Sequence, residues 1–176
     1  MPPAYNLDNN EETELIQHKP RPRLDLSAYQ GYNCFHVILR TAHNRSVFSK
    51  DWNYQKMLEI LRYASDKLNY IILAYCFMPN HLHLLVLSEK EATLLEFVKL
   101  LKQMSSFYYK QKSGKLLWQA SFYDRKLRID EDRPGVAKYI LNNPVRWKLC
   151  SEVTRYRYSG SFICSIEDLV SSCILS

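Results

Sequence analysis

Tyr75-Cys-Phe-Met-Pro-Asn-His-Leu-His-Leu-Leu-Val-Leu87 is the stretch on which the fold turns. It continues directly from Tyr70-Ile-Ile-Leu-Ala74, so two apolar runs are separated only by Met78, Pro79 and Asn80. Apolar and β-branched residues on both sides of a Pro-Asn pair predict two strands joined by a short turn and paired antiparallel. Strand side chains alternate faces, which puts His81 and His83 on one side and Leu82 and Leu84 on the other. Two imidazoles so placed admit two readings. Each ring is packed and satisfied by a hydrogen bond, or the pair grips one metal ion. No paired cysteines accompany them, so this is not a zinc-finger pattern. Spacing by itself leaves both readings open.

Working outward, Gly31 opens the run Tyr32 to Thr41, a strand by its aromatic and β-branched content. Asp51 is a plausible helix N-cap, and Tyr54, Met57, Leu58, Leu61, Tyr63, Ala64 and Leu68 follow with helical spacing. Beyond Leu87 a long helix is expected from about Ala92 to Lys110, with Leu94, Leu95, Val98, Leu101 and Met104 facing inward and Ser113-Gly114 ending it. Trp118 to Ile129 reads as a fourth strand, basic and aromatic together. Asp130 or Asp132 can cap a last helix that has Pro134 in its first turn and carries Val136, Tyr139 and Ile140. Asn143-Pro144 ends it, because the residue before proline is pushed away from helical dihedrals. The order β-α-β-β-α-β followed by a helix predicts an α+β, ferredoxin-like antiparallel sheet with helices packed on one face. Three segments are expected: a polar and basic arm over residues 1–30, a catalytic domain over 31–150, and a C-terminal extension over 151–176 packed on it.

A chain of 176 residues suits one main domain with a proper core. Its net charge of +6 is unevenly spread. Residues 99–157 hold 14 Lys or Arg against 5 Asp or Glu, a balance of +9, which leaves the remainder at −3. Concentrated basicity with 13 tyrosines suggests a phosphate-bearing partner, although a basic surface that only confers solubility has the same composition. The five cysteines, Cys34, Cys76, Cys150, Cys164 and Cys173, are odd in number and lack metal spacing, as expected of reduced thiols in a cytoplasmic protein. No apolar run approaches a membrane span and the N-terminus has no signal-peptide core, so no membrane partner is expected.

A metal held by two histidines needs further ligands. Tyr139 and Asn143 lie four apart on the expected last helix, where i and i+4 share a face. A core-facing aromatic and a helix-ending amide are the alternative readings of the same two residues.

Taken together, Phe77-Met-Pro-Asn before His81-Leu-His83, Trp118-Gln119 with Phe122-Tyr-Asp124, and Tyr139-Ile-Leu-Asn-Asn-Pro-Val145 resemble the REP-associated tyrosine transposases, members of the IS200-like, single-tyrosine HUH transposase superfamily. Arg40-Thr-Ala-His-Asn-Arg45 is similar to the family's first strand and following turn, and the resemblance spans roughly Gly31 to Val145. It implies a metal-dependent single-stranded DNA endonuclease and strand transferase that acts on hairpin DNA. His81, His83 and Asn143 would bind a divalent ion, Mg²⁺ or Mn²⁺, and Tyr139 would be the nucleophile. A covalent 5′-phosphotyrosine would form, in transposition or the mobilisation of repeats. The protein would act as a monomer or as a homodimer, and in dimeric relatives the tyrosine helix of one chain can serve the histidines of the other.

DNA contacts are expected from Lys99, Lys102, Lys110, Lys112, Lys115, Arg125 and Arg128, from Trp118, and from Arg21 and Arg23 in the arm. Two departures stand out. Arg125 occupies a position where the family often has histidine, and the family's C-terminal Ser-Ser-Tyr pattern is blurred to Tyr158-Ser-Gly-Ser-Phe162. The competing readings are a ferredoxin-like nucleic-acid binder that has lost catalysis and a metal-free interaction domain.

Overall fold

The computed structural model describes residue 29, residues 31–88 and residues 93–171. Arg21, Arg23 and Cys173 lie outside the described residues.

The hairpin forms as its residues dictate: β2 (Tyr70–Met78) and β3 (His81–Ser88) pair antiparallel across the Pro79-Asn80 turn. β1 (Cys34–Arg40) pairs antiparallel with β3, and β4 (Tyr123–Lys126) with β1. A two-residue strand, β5 (Ser159–Gly160), closes the far edge on β2. The sheet order is β4-β1-β3-β2-β5, all antiparallel, which is the ferredoxin-like order with one strand added.

α1 (Asp51–Leu68) and α2 (Leu94–Ser113) pack on one face. Phe35, Val37 and Leu39 of β1, Leu82, Leu84 and Val86 of β3 and Phe77 of β2 meet Met57, Leu61, Ala64, Phe97 and Leu101 there. α2 starts at a reciprocal capping box between Thr93 and Glu96, two residues later than expected. It stops at Gly114, whose φ of +67° is open to glycine and costly for other residues.

The other face is not an open platform. α3 (Arg133–Leu141), α4 (Asn143–Arg146) and α5 (Ile166–Ser171) cover part of it. Ala137, Ile140 and Leu141 pack there on Ala74, Cys76, Met78 and Leu85. A bulge between Ile72 and Ala74 sets this phase, so that Phe77 enters one core while Cys76 and Met78 enter the other.

Three expectations change. Asp51 does not cap α1: it is the first helical residue, and its carboxylate accepts from the Tyr158 hydroxyl and pairs with Arg157. The fourth strand is only Tyr123–Lys126, because Trp118 makes an isolated bridge to Thr41 and its indole turns inward. The tyrosine helix ends at Leu141, and Asn143 opens the short α4 with Pro144 in its first turn. Asn142 keeps right-handed helical dihedrals between them (φ −83°, ψ −5°), so the chain direction continues although the hydrogen-bond ladder breaks. Described residues beyond 150 pack on the domain: β5 joins the sheet, and the Tyr156 hydroxyl donates to the Phe77 carbonyl at 2.7 Å.

Candidate active site

The site is built where the α3 face of the sheet runs out of apolar residues. Strand register aligns Ile38 with His83 and Arg40 with His81, and it pairs β2 Cys76 and Met78 with the same two histidines. His81 and His83 turn to one side as their spacing requires, and their Nε2 atoms lie 3.0 Å apart. His83 is buried and His81 half-buried.

A third imidazole joins them. Nε2 of His36, from β1, lies 3.2 Å from Nδ1 of His83, and the two rings stack. His36 sits behind His83 rather than beside the pair, and its far neighbours are the Tyr123 and Tyr139 rings. Asn80 accepts from the outer nitrogen of His81, with Nδ1 to Oδ1 at 2.7 Å. All three histidines are held neutral. Burial is the largest cause in each: it takes His83 to about 2, helped by His81, His36, Arg40 and Arg146. His81 falls to about 4 through burial and Arg40. His36 falls to about 4 through burial and Arg125, against a smaller opposing effect of Glu131.

Neutral rings carry one proton each, which leaves two tautomer chains, of which the first makes every contact a hydrogen bond and the second leaves the two facing Nε2 atoms unprotonated. In one, a proton on His83 Nε2 bridges to His81. In the other, His83 donates through Nδ1 to His36, and both Nε2 lone pairs face one point. The second is the arrangement a cation needs, with His36 and Asn80 as the outer partners that fix ring orientation. The separation fits too: two nitrogens about 2.1 Å from one ion at a right angle stand about 3 Å apart.

Among the described residues no group of three or more His, Cys, Asp or Glu side chains could hold a metal ion. A further protein ligand must therefore be of another type, and the carboxamide of Asn143 is the candidate. It is buried, and its nitrogen donates to the carbonyls of Tyr139 (3.0 Å) and Ile140 (3.1 Å). These bonds have a local cause. Proline has no N–H, so Pro144 cannot serve the Ile140 carbonyl, and the neighbouring side chain does so instead. Holding the nitrogen against the helix turns Oδ1 the other way, the oxygen a hard cation would take.

Tyr139 is 48% exposed, with its ring centroid 6.4 Å from that of His36, and the Arg146 guanidinium lies 4.9 Å over its ring. Tyr139 thus meets His36 within one chain, and residues 133–146 carry the tyrosine, the buried amide and the arginine on consecutive turns.

The profile of the "Transposase IS200 like" family matches residues 31–143, more than half of the chain. The chain belongs to the IS200-like transposase family. It is a DNA-processing enzyme of transposition, and its fold is that of a REP-associated tyrosine transposase. A solved structure of that protein bound to a REP hairpin superposes with a TM-score of 0.65 at 18% identity, covering 79% of this chain and 81% of the other. A putative transposase from Deinococcus radiodurans R1 is 24% identical over 65% of this chain and 92% of its own, with a TM-score of 0.49 that adds nothing to the fold assignment. No curated protein sequence matches the chain.

The other expected contact residues of this transposase divide by environment. Lys99, Lys110, Lys112, Lys115 and Arg128 are exposed. Lys102 is tied to the carbonyls of Gln119 (2.7 Å) and Ala120 (2.8 Å). Arg125, opposite His36 in the β1–β4 register, pairs with Glu131 at 2.6 Å. Trp118, expected to stack a base, is instead 7% exposed, packs on Phe48 and donates to the Ser105 hydroxyl. No helix of the described residues is long and apolar enough to cross a membrane.

Sequence reasoning missed His36, Arg40 and Arg146. His36 and Arg40 were visible in the first strand, but only the register of β1 on β3 brings them to the histidine pair. Arg146 lay beyond the proline that was expected to end the helix.

Proposed function

We propose that the transposase nicks and rejoins single-stranded DNA through Tyr139, at a site completed by a divalent ion. The observation that carries this reading is a half-exposed tyrosine set edge-on to His36, which stacks on His83, one of two imidazoles whose Nε2 atoms lie 3.0 Å apart. His81 and His83, with the Oδ1 of Asn143, are the ligands assigned to Mg²⁺ or Mn²⁺. When bound, the ion supplies a Lewis acid that polarises the scissile phosphate.

The chain's own residues do the rest. Tyr139 Oη attacks phosphorus, the bond from phosphorus to the 3′-oxygen breaks, and that oxygen leaves as a hydroxyl after taking a proton. The 5′-phosphate stays on the tyrosine as a diester of similar energy, so another 3′-hydroxyl can reverse the step and join strands. The ring of Tyr139 is held on α3 beside His36 and under Arg146, which limits the directions its hydroxyl can take. Asn80 and His36 orient the two ligand imidazoles from outside. The REP hairpin held by the structural relative suggests hairpin DNA as the substrate class.

The test is incubation with a hairpin-bearing single-stranded oligonucleotide and MnCl₂, followed by denaturing electrophoresis. A protein–DNA adduct is expected that Tyr139→Phe abolishes, a loss of at least about 10³-fold, and that His83→Ala strongly reduces. Binding without an adduct, across varied hairpins, would assign the chain to the catalytically inactive class instead. Imidazole ligands suit Mn²⁺ better than Mg²⁺. Calorimetry should therefore find Mn²⁺ the tighter of the two.

A further inference from the structure

We propose that Arg40 and Arg146 form a phosphate-holding pair on either side of the histidines, and that DNA and the divalent ion therefore assist each other's binding. This rests on the reading of His81 and His83 as ligands.

The two guanidiniums reach the site from unrelated elements. Arg40 ends β1 and stands directly opposite His81 in the strand register. Arg146 ends α4 and lies 4.9 Å over the ring of Tyr139. Both side chains are exposed.

Arg40 and Arg146 differ from the paired basic residues in lacking a counter-charge, and from the other unpaired ones in standing beside His81 and Tyr139. Arg125 is paired with Glu131, Arg155 with Glu152, Arg157 with Asp51 and Lys56 with Glu59. Among the described residues neither Arg40 nor Arg146 makes an ion pair. An enzyme that needed only a cation would put carboxylates around its ligands, because negative charge draws the cation in. This site has two neutral imidazoles, an amide and two cationic groups. Such a set is poor at holding a divalent ion alone and suited to holding one with an anion between. A phosphodiester is that anion: its two non-bridging oxygens can accept from a planar guanidinium and face a metal at the same time. The position of Arg146 over Tyr139 puts this anion where the hydroxyl can reach phosphorus.

The consequence has opposite signs for the two ligands, which makes it testable without turnover. Arg40→Gln and Arg146→Gln each remove a charge that attracts DNA and repels the metal. Anisotropy of a fluorescein-labelled, hairpin-bearing single-stranded oligonucleotide in EDTA should weaken by about 5- to 10-fold in each variant. Arg155→Gln, a paired arginine elsewhere, should change it by less than about 2-fold. Calorimetric titration with MnCl₂ in the absence of DNA should find each Arg→Gln variant about 3-fold tighter than the parent. Arg146→Lys, which keeps the charge, should return the Mn²⁺ affinity to the parent value while restoring DNA binding only in part. Unchanged melting temperatures would establish that the exposed substitutions leave the fold intact.

DNA binding unaffected by both Arg→Gln variants would overturn the proposal, as would a loss of Mn²⁺ affinity alongside that of DNA. If neither the parent nor the variants bind Mn²⁺, the ligand role of His81 and His83 fails, and with it the mutual assistance. The metal-free anisotropy then still decides whether the two arginines hold phosphate.

Discussion

The two faces of the sheet come from the same strands and solve different problems. Toward α1 and α2, Phe35, Val37 and Leu39 of β1 and Leu82, Leu84 and Val86 of β3 are apolar, and aromatic rings dominate: Phe48, Tyr54 and Phe77 meet edge to face. Toward α3, the strands begin in the same way with Cys34, Ala74 and Leu85, then change to His36, His83, His81 and Arg40 as they approach one end. The few polar groups on the first face pair locally, as the Trp118 indole does with the Ser105 hydroxyl. On the second they form a chain of contacts from Asn80 through His81 and His83 to His36, with solvent at the rim. The lesson is that the dry face holds the register rigidly enough for the polar face to place imidazoles within about 3 Å, a precision that loops rarely supply.

That contrast can be broken at either face. The largest effects should separate cleanly. Tyr139→Phe should abolish the covalent adduct and leave urea denaturation unchanged, because the residue is half-exposed and phenylalanine keeps the ring that His36 and Arg146 contact. Phe77→Ala should do the reverse in kind, costing about 3–5 kcal/mol of unfolding free energy by opening a cavity under both Phe48 and Tyr54. Next in size, His36→Phe keeps ring volume but removes the partner of His83 Nδ1. Mn²⁺ affinity by calorimetry should fall by about 10- to 100-fold. Trp118→Phe removes the indole donor to Ser105 on the dry side, and a loss of about 1–2 kcal/mol is expected on thermal melting, with DNA binding nearly unchanged. The smallest effect belongs to the outer surface of α2. Lys110→Ala or Lys112→Ala should leave stability within about 0.5 kcal/mol and flatten the salt dependence of DNA binding by about one phosphate contact or less.

Much of this was legible in the chain. The hairpin, its turn and the common face of His81 and His83 follow from period-two alternation around Pro79-Asn80. The helices follow from apolar spacing, and the capping motif of α2 and the Asp132 cap with Pro134 follow from local chemistry. Tyr139 and Asn143 were identifiable only as parts of a motif, since an aromatic and an amide four residues apart have ordinary packing roles. Asn143 does have such a role: its nitrogen caps the carbonyls that Pro144 leaves open. Trp118 was misread because a tryptophan beside basic residues has the same local signature whether it faces DNA or a serine hydroxyl 13 residues earlier in the chain.

By itself the sequence determined the elements, their order and the pairing of the hairpin, because each of these depends on neighbours within a few residues. The tertiary structure decided which elements share the α3 face. The register of β1 on β3 brings His36 behind His83 and Arg40 beside His81, and the bulge at Leu73 sends Cys76 and Met78, rather than Phe77, to the histidine side. The right-handed turn at Asn142 carries Arg146 back over Tyr139. The strand placements rest on pairings between residues dozens of positions apart, and a one-residue slip of β1 on β3 would send His36 and Arg40 to the opposite face.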